Sequence, residues 1–267
     1  MTSDKIIVVK NLVKTFKDFR AVDDISFDVQ GGSIFGFLGP NGAGKTTTIK
    51  MLTTTLPPTS GTILLDGNDP QKAPLVARRS FGIVFQDPSL DGDMTARENM
   101  KLHAVMYGVP HAEHPARIEA ALKFVGLWDR RESFAKTFSG GMKRRLEIAR
   151  ALLHTPRILF LDEPTLGLDP QTRNHIWEYI QTLVRERNMT VFFTTHYMDE
   201  ADRVADEIAI IDGGRIITRG SPAALKQNAG AASLEEAFIS LTGHAIRDEQ
   251  ASAKDRMRVM GRLWGKT

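Results

Sequence analysis

Nine consecutive residues, Gly39, Pro40, Asn41, Gly42, Ala43, Gly44, Lys45, Thr46 and Thr47, set three glycines ahead of a lysine and two hydroxyls. The spacing is that of a phosphate-binding loop, provided a strand precedes it and a helix follows. Glycines let successive backbone N–H groups converge on phosphate oxygens, and a helix N-terminus adds its partial positive charge. Lys45 can reach the β- and γ-phosphates, and the Thr46 hydroxyl can ligate Mg2+. A second pair of groups follows an apolar run at 158–161: the carboxylates Asp162 and Glu163. Consecutive side chains at a strand end point to opposite sides. Asp162 is therefore expected to hold Mg2+ through water, and Glu163 to face an attacking water. Together the two motifs indicate a nucleoside triphosphatase.

The surrounding pattern can position such groups. Short β-rich runs alternate with helical periodicity, the mark of an α/β fold. Strands are expected at 6–9, 25–29, 33–38, 62–65, 81–85, 158–161 and 190–194, with a turn region at 15–22. Residues 33–38 are a continuous apolar run, as in a strand covered on both faces. A helix is expected from about Thr46 and another at 170–187, with proline at its start. Residues 207–211 and 215–218 flank Asp212, Gly213 and Gly214, a hairpin signal. Between 87 and 157 the texture is helical, with helices expected at 96–107, 117–125 and 142–153. The expected division is a nucleotide-binding core with a β part at 1–86 and 158–220, a helical subdomain at 87–157, and C-terminal helices with a basic tail at 221–267.

Phe138, Ser139, Gly140, Gly141 and Met142 open the third of those helices. Here the sequence resembles the ATP-binding-cassette family, whose signature is usually Leu-Ser-Gly-Gly-Gln. A serine and two glycines at a helix N-terminus make a second anion site. One chain does not need two γ-phosphate sites, but two chains arranged head to tail do, each phosphate loop facing the other's signature. Ser139, Gly140, Gly141 and Met142 would then act on the partner's ATP. The resemblance implies further roles, position by position. Gln86 resembles the glutamine that senses Mg2+ and the attacking water, and His196 the switch histidine at the γ-phosphate. Asp169 resembles the loop residue that meets the partner's site. Phe16 resembles the aromatic that stacks on adenine; ordinary core packing is its other reading, with Phe19 nearby. Mg2+ would be held by Thr46, Gln86 and Asp162. The sequence departs from the pattern at Met142, which removes the usual glutamine amide, and at Phe138. With the stretch after Gln86 and the run from Ser233 to Phe238, this variant resembles the branch that contains daunorubicin-resistance-type drug exporter ATPases. The resemblance covers about residues 5–243 and implies an α/β phosphate-loop ATPase with an N-terminal antiparallel β part and an inserted helical subdomain. It also implies ATP and Mg2+ as cofactors, a second copy of the chain and an integral membrane permease as partners, and a peripheral place on the cytoplasmic face of the membrane.

Composition narrows the alternatives. The 267 residues are 42% hydrophobic and 25% charged, as in a globular chain with an ordinary core. There is no cysteine, which excludes thiol nucleophiles and cysteine-ligated zinc. No apolar run approaches the roughly 20 residues of a membrane-spanning helix, and residues 1–10 show no secretory signal. The net charge of +3 lies wholly in residues 244–267. Residues 1–243 thus have no basic excess for a phosphate backbone, so no nucleic-acid partner is expected. A soluble cassette acting on nucleic acid or ribosomes, or a nucleotide-dependent switch, are the other function classes; Glu163 argues against the switch. In the tail, Lys254, Arg256, Arg258 and Arg262 interleave with Met257, Met260 and Trp264. That pattern suits either a weak membrane-surface tether or a solvated or packed terminus. His111 and His114 have metal-like spacing but follow Pro110 and precede Pro115, so a solvated loop is expected there.

Overall fold

Continuous apolar runs without polar alternation demand cover on both faces, and here they receive it. The computed structural model describes residues 5–243. In chain order the elements are β1 (Lys5–Phe16), β2 (Phe19–Gln30), β3 (Ile34–Leu38), α1 (Lys45–Leu52), β4 (Ser60–Leu65), α2 (Pro74–Ser80), β5 (Phe81–Val84), α3 (Ala96–Met106), α4 (His114–Phe124), α5 (Gly140–Ala151), β6 (Ile158–Asp162), α6 (Pro170–Arg187), β7 (Thr190–Thr195), α7 (Met198–Val204), β8 (Glu207–Asp212), β9 (Arg215–Gly220), α8 (Pro222–Ala229) and α9 (Leu234–Thr242). One sheet has the order β5-β6-β7-β3-β8-β9, parallel except for the β8–β9 hairpin. Every residue of β3, β6 and β7 is buried. The other sheet, β2-β1-β4, is antiparallel. The two share an aromatic contact layer, in which Phe27 of β2 lies with Phe35, Phe37 and Phe192 at ring-centroid distances of 5.5–6.0 Å.

Strand order decides where chemistry can occur. β5, β6, β7 and β3 lie side by side and run in one direction. Their C-terminal ends therefore bring Gln86, Asp162, His196 and the 39–44 loop to one edge of the sheet, the edge at which parallel sheets bind ligands.

The expected turn at 15–22 is corrected. The strands continue through it, pairing Thr15 with Arg20 and Phe16 with Phe19, so the turn is only Lys17 and Asp18. Asn11 and Asp24 take positive φ of 48° and 55° at register shifts. These irregularities break the alternation by which a strand is legible. Helix α4 begins at His114, ahead of the expected start, because Pro115 occupies its first turn. α5 begins at Gly140 because Ser139 caps it. The helices α2 and α7 have no counterpart in the sequence reading. α3, α4 and α5 enclose a core of their own, with Met100, Leu122, Leu146 and Leu153 fully or almost fully buried. The basic segment 244–267 lies outside the described residues. Among those described, no helix is long and apolar enough to cross a membrane.

One half-buried stack carries an expected result. His103 of α3 stacks on Tyr107 at 4.3 Å, and Tyr107 stacks on His154 at 4.1 Å. His154 Nε2 meets the Phe81 carbonyl at 2.9 Å, so the stack ties the helical part to β5. Burial, with Arg150 nearby, pushes the His103 imidazole down to about 3 from its ordinary 6.5. The folded state resists this proton while the unfolded chain accepts it below about pH 6.5. Stability is thus complete above that pH and falls as pH drops toward 3. Urea midpoints at pH 7 and pH 5 should show the loss. His103→Phe should reduce it by about 1–2 kcal/mol, the linkage of one proton over that interval. An identical loss in the variant would remove His103 as the cause.

Candidate active site: a nucleotide cavity at the ends of four parallel strands

Gly44 sets the path of the phosphate loop. It takes φ +109°, and a Cβ there would lie 2.6 Å from the Ala21 carbonyl oxygen. A Cβ on Gly39 would lie 2.2 Å from the Ile211 carbonyl oxygen. Neither position admits a side chain without backbone movement, so the chain leaves β3 tightly, turns where the Ala43 N–H donates to the Pro40 carbonyl at 3.2 Å, and enters α1. Lys45 folds back over this loop. Its Nζ donates to the carbonyls of Gly39 at 2.6 Å and Pro40 at 3.2 Å, and lies 3.8 Å from Glu163 Oε1. Burial pushes its ammonium below the ordinary range, and the charges of Glu163 and Asp162 pull it back.

Asp162 ends β6 opposite Thr194. The Thr194 hydroxyl donates to Asp162 Oδ1 at 2.6 Å, and the Thr46 hydroxyl lies 3.4 Å from the same oxygen. Burial raises the Asp162 carboxyl above its ordinary range, against the Thr194 hydrogen bond. A divalent cation at this carboxylate would reverse that direction. Glu163 does not continue the strand. It adopts φ 50°, and its N–H is shared between the Thr194 carbonyl and hydroxyl oxygens, each at 3.1 Å. The strand geometry from which this pair was read therefore stops at Asp162, and Glu163 takes a left-handed conformation instead. Its Oε1 faces Lys45 and its Oε2 lies 3.0 Å from His196 Nδ1. Non-glycine residues pay strain in this region of backbone space, and such residues cluster at functional sites.

Of these groups Gly44, Lys45, Thr46 and Glu163 border a cavity of about 300 Å³, whereas Gly39, Asp162, Thr194 and His196 do not line it. Phe16, Phe19 and Ala21 line it from the β1–β2 hairpin, Pro40, Asn41, Gly42, Gly44, Lys45, Thr46 and Thr47 from the loop and α1, and Gln86 and Glu163 from the strand ends. Ala43 is buried behind the loop. Phe16 is 45% and Phe19 63% exposed, so neither is a core residue. Ser139, Gly141 and Met142 line a different cavity of about 220 Å³, against Thr172, His175 and Tyr179 of α6. No residue lines both.

Residues 22–166 match the family described as ABC transporter. The chain belongs to the ATP-binding-cassette family. It is 43% identical over 226 residues to the daunorubicin/doxorubicin resistance ATP-binding protein DrrA of Streptomyces peucetius, covering 85% of this chain and 68% of that one. It is 43% identical to the Nod factor export ATP-binding protein I of Cupriavidus metallidurans, covering 81% and 71% respectively. A solved ATP-binding subunit of an ABC transporter superposes with a TM-score of 0.80 at 31% identity, over 88% of this chain and 99% of that one. The dimeric post-hydrolysis structure of the cassette MJ0796 bound to ADP and Pi gives 0.73 at 27% identity, over 80% and 98%. The cassette described here is thus an ATPase, the ATP-binding subunit of a transporter, with relatives named for resistance and export.

Several cassette residues serve local structure as well. Ser139 Oγ accepts the Met142 N–H at 3.3 Å and so caps α5, whose first residue is Gly140. Phe138 is buried in the helical core. Asp169 caps α6, accepting the Thr172 N–H at 3.0 Å and the Thr172 hydroxyl at 2.6 Å. His114 is not in a solvated loop: it is 5% exposed, and its Nε2 meets the Val109 carbonyl at 2.8 Å. Among the described residues no three His, Cys, Asp or Glu side chains converge on a metal position.

Sequence reasoning missed Thr194, which orients Asp162; its signal was a hydroxyl at the end of an otherwise apolar strand. It also missed the tie that holds Gln86. Arg144 of α5 donates to the carbonyls of Phe85 at 2.6 Å and Gln86 at 3.2 Å, and pairs with Glu147 at 3.2 Å. Both members of that pair are buried, and Glu147 Oε1 accepts the Ser89 N–H at 2.8 Å. The signal was a charged run on a helix whose other face is apolar.

Proposed function

We propose that this chain is the ATP-hydrolysing subunit of a membrane exporter, working as a pair of cassettes that close head to tail on two ATP molecules. The observation that carries the reading is the separation of two half-sites on one chain: the phosphate loop and the Ser139 helix border different cavities. Two copies in opposite orientation would supply each phosphate loop with the other's Ser139, Gly140, Gly141 and Met142, and set the two Asp169 loops against each other. The dimeric structure of a relative supports this arrangement. The names of relatives, resistance and export, support export as the direction of transport. Closure would drive integral membrane permease subunits, with the cassette peripheral on the cytoplasmic face.

In this reading Phe16 and Phe19 offer ring faces to adenine. The loop amides and Lys45 hold the β- and γ-phosphates. Thr46 and Asp162, with Gln86 beside them, are oxygen donors suited to Mg2+, whose chemistry there is to neutralise charge between the β- and γ-phosphates. Glu163 accepts a proton from, or orients, the attacking water, and His196 holds Glu163 in place through the 3.0 Å contact.

The test of the paired arrangement uses two variants that retain the phosphate loop. Glu163→Gln with ATP should elute from a sizing column as a dimer. Adding Gly141→Asp to that background should return it to monomer with ATP still bound, since the new carboxylate, whose Cβ also presses on Thr172 Cγ2 of its own chain at 2.5 Å, disturbs the surface that would meet the partner's ATP. If the double variant dimerises as well as the single one, Gly141 does not act across the interface and the head-to-tail reading falls.

A further inference from the structure

The loop between Glu163 and α6 is held by groups that also touch the His196 segment. The Leu168 carbonyl accepts from Arg173 Nε at 2.8 Å. The Arg173 guanidinium lies 4.1 Å from the centre of the Tyr197 ring. That ring lies 4.2 Å from the imidazole of His196, which in turn contacts Glu163. Five residues from three segments thus form one chain of contacts, from the Asp169 loop to the carboxylate assigned to hydrolysis.

Glu200 anchors this chain. It is 3% exposed. Its Oε2 accepts the Thr165 hydroxyl at 2.6 Å and Trp177 Nε1 at 3.0 Å. Its Oε1 is buried without a hydrogen-bond partner, and Arg173 Nη1 stands 3.7 Å away. The guanidinium is therefore hydrogen-bonded to the loop carbonyl and just short of hydrogen-bonding the carboxylate. A small displacement of the loop, carrying the guanidinium with it, would bring Nη1 within hydrogen-bond reach of Glu200 Oε1. The loop can receive such a displacement from the other half-site. A Cβ on Gly140 would lie 3.5 Å from Leu168 Cδ2, and one on Gly141 would lie 2.5 Å from Thr172 Cγ2.

We propose that Arg173 is a positioning residue for hydrolysis, carrying movement of the Leu168–Asp169 loop through Tyr197 to the His196–Glu163 pair, with Glu200 as its fixed anchor. The proposal rests on the reading of that pair as the hydrolytic groups. Arginine suits the task because one flat group hydrogen-bonds along its edge and stacks on its face, which lysine cannot do. Neither Arg173, Tyr197 nor Glu200 lines the nucleotide cavity, so their effect falls on turnover and not on ATP affinity.

The experiment is steady-state ATP hydrolysis by the purified full-length chain with Mg2+. Arg173→Ala should lower kcat by about 10-fold, the scale of coupling through such contacts, with KM within about twofold. Arg173→Lys, which keeps the charge but not the flat fork, should recover little. Because Arg173→Ala could disturb α6, Tyr197 provides a second probe: Tyr197→Leu should lose turnover, and Tyr197→Phe should regain most of it through the ring. The decisive comparison is the double variant Arg173→Ala/His196→Ala, which should be no slower than His196→Ala alone. Additive losses, an unchanged kcat in Arg173→Ala, or a raised KM with kcat intact would each overturn the link and leave the reading of the pair standing. If His196→Ala itself keeps full turnover, the reading of the pair is overturned and the link with it.

Discussion

Replacing Glu163 by glutamine should cut steady-state ATP turnover by about 100-fold or more while leaving ATP bound. The size is that of losing a positioned general base, and about 2.7 kcal/mol of barrier corresponds to it. The geometry argues for a selective effect. Glu163 lies at the cavity but is not part of the phosphate loop, and glutamine preserves its shape and its hydrogen bond toward His196. What disappears is a carboxylate able to take a proton from water. Phosphate release and equilibrium binding of ATP measured on the same preparation separate the two effects. Near-normal phosphate release would remove Glu163 from the chemical step, and weakened ATP binding with proportionate loss of rate would make it a binding residue instead.

Lys45→Ala should fail at the earlier stage. Lys45 Nζ sits between the Gly39 and Pro40 carbonyls and Glu163 Oε1, where the β- and γ-phosphates would meet the loop. A charge-assisted hydrogen bond contributes about 1.5–3 kcal/mol, so ATP affinity should fall by about 10- to 100-fold. Heating with and without ATP reads this directly, because a ligand that binds the folded state raises its melting temperature. The Glu163→Gln protein should gain that rise in full, and the Lys45→Ala protein should show little of it. An equal rise in both would refute the assignment of Lys45 to the phosphates.

The two variants also divide along what was legible. The phosphate loop is one contiguous stretch whose function depends on backbone N–H groups in series, so its residue types announce it without knowledge of the fold. The apolar runs that become β3, β6 and β7 were equally readable, since a strand buried on both faces has no alternation to disguise it. The β1–β2 hairpin was readable only at 6–9 and 25–29, not where its strands approach the turn. Its half-exposed strands carry polar residues and two irregularities at Asn11 and Asp24, so 15–22 looked like a turn region; Phe16 was placed at the nucleotide only through the family resemblance, and the place of Phe19 beside it was hidden.

Glu163 shows the limit more sharply. Its type and its place after Asp162 marked it as a candidate, but the strand rule by which its side chain was read does not apply to a left-handed residue. The left-handed turn at Glu163, held by Thr194 of the neighbouring strand, could not be inferred from residues 158–163 because its partner lies 31 positions away. The contacts of Glu163 with Lys45 and His196, of Arg144 with the Gln86 segment, and of Arg173 with Tyr197 have the same origin. By itself, then, the sequence determined that this chain is a cassette ATPase and marked the contiguous loop proposed to receive the phosphates, because that loop is written in local backbone geometry. The tertiary structure alone decided the left-handed turn at Glu163, the contacts that hold its carboxylate, and that the Ser139 helix borders a separate cavity, because strand order and helix packing bring together groups that no local pattern connects.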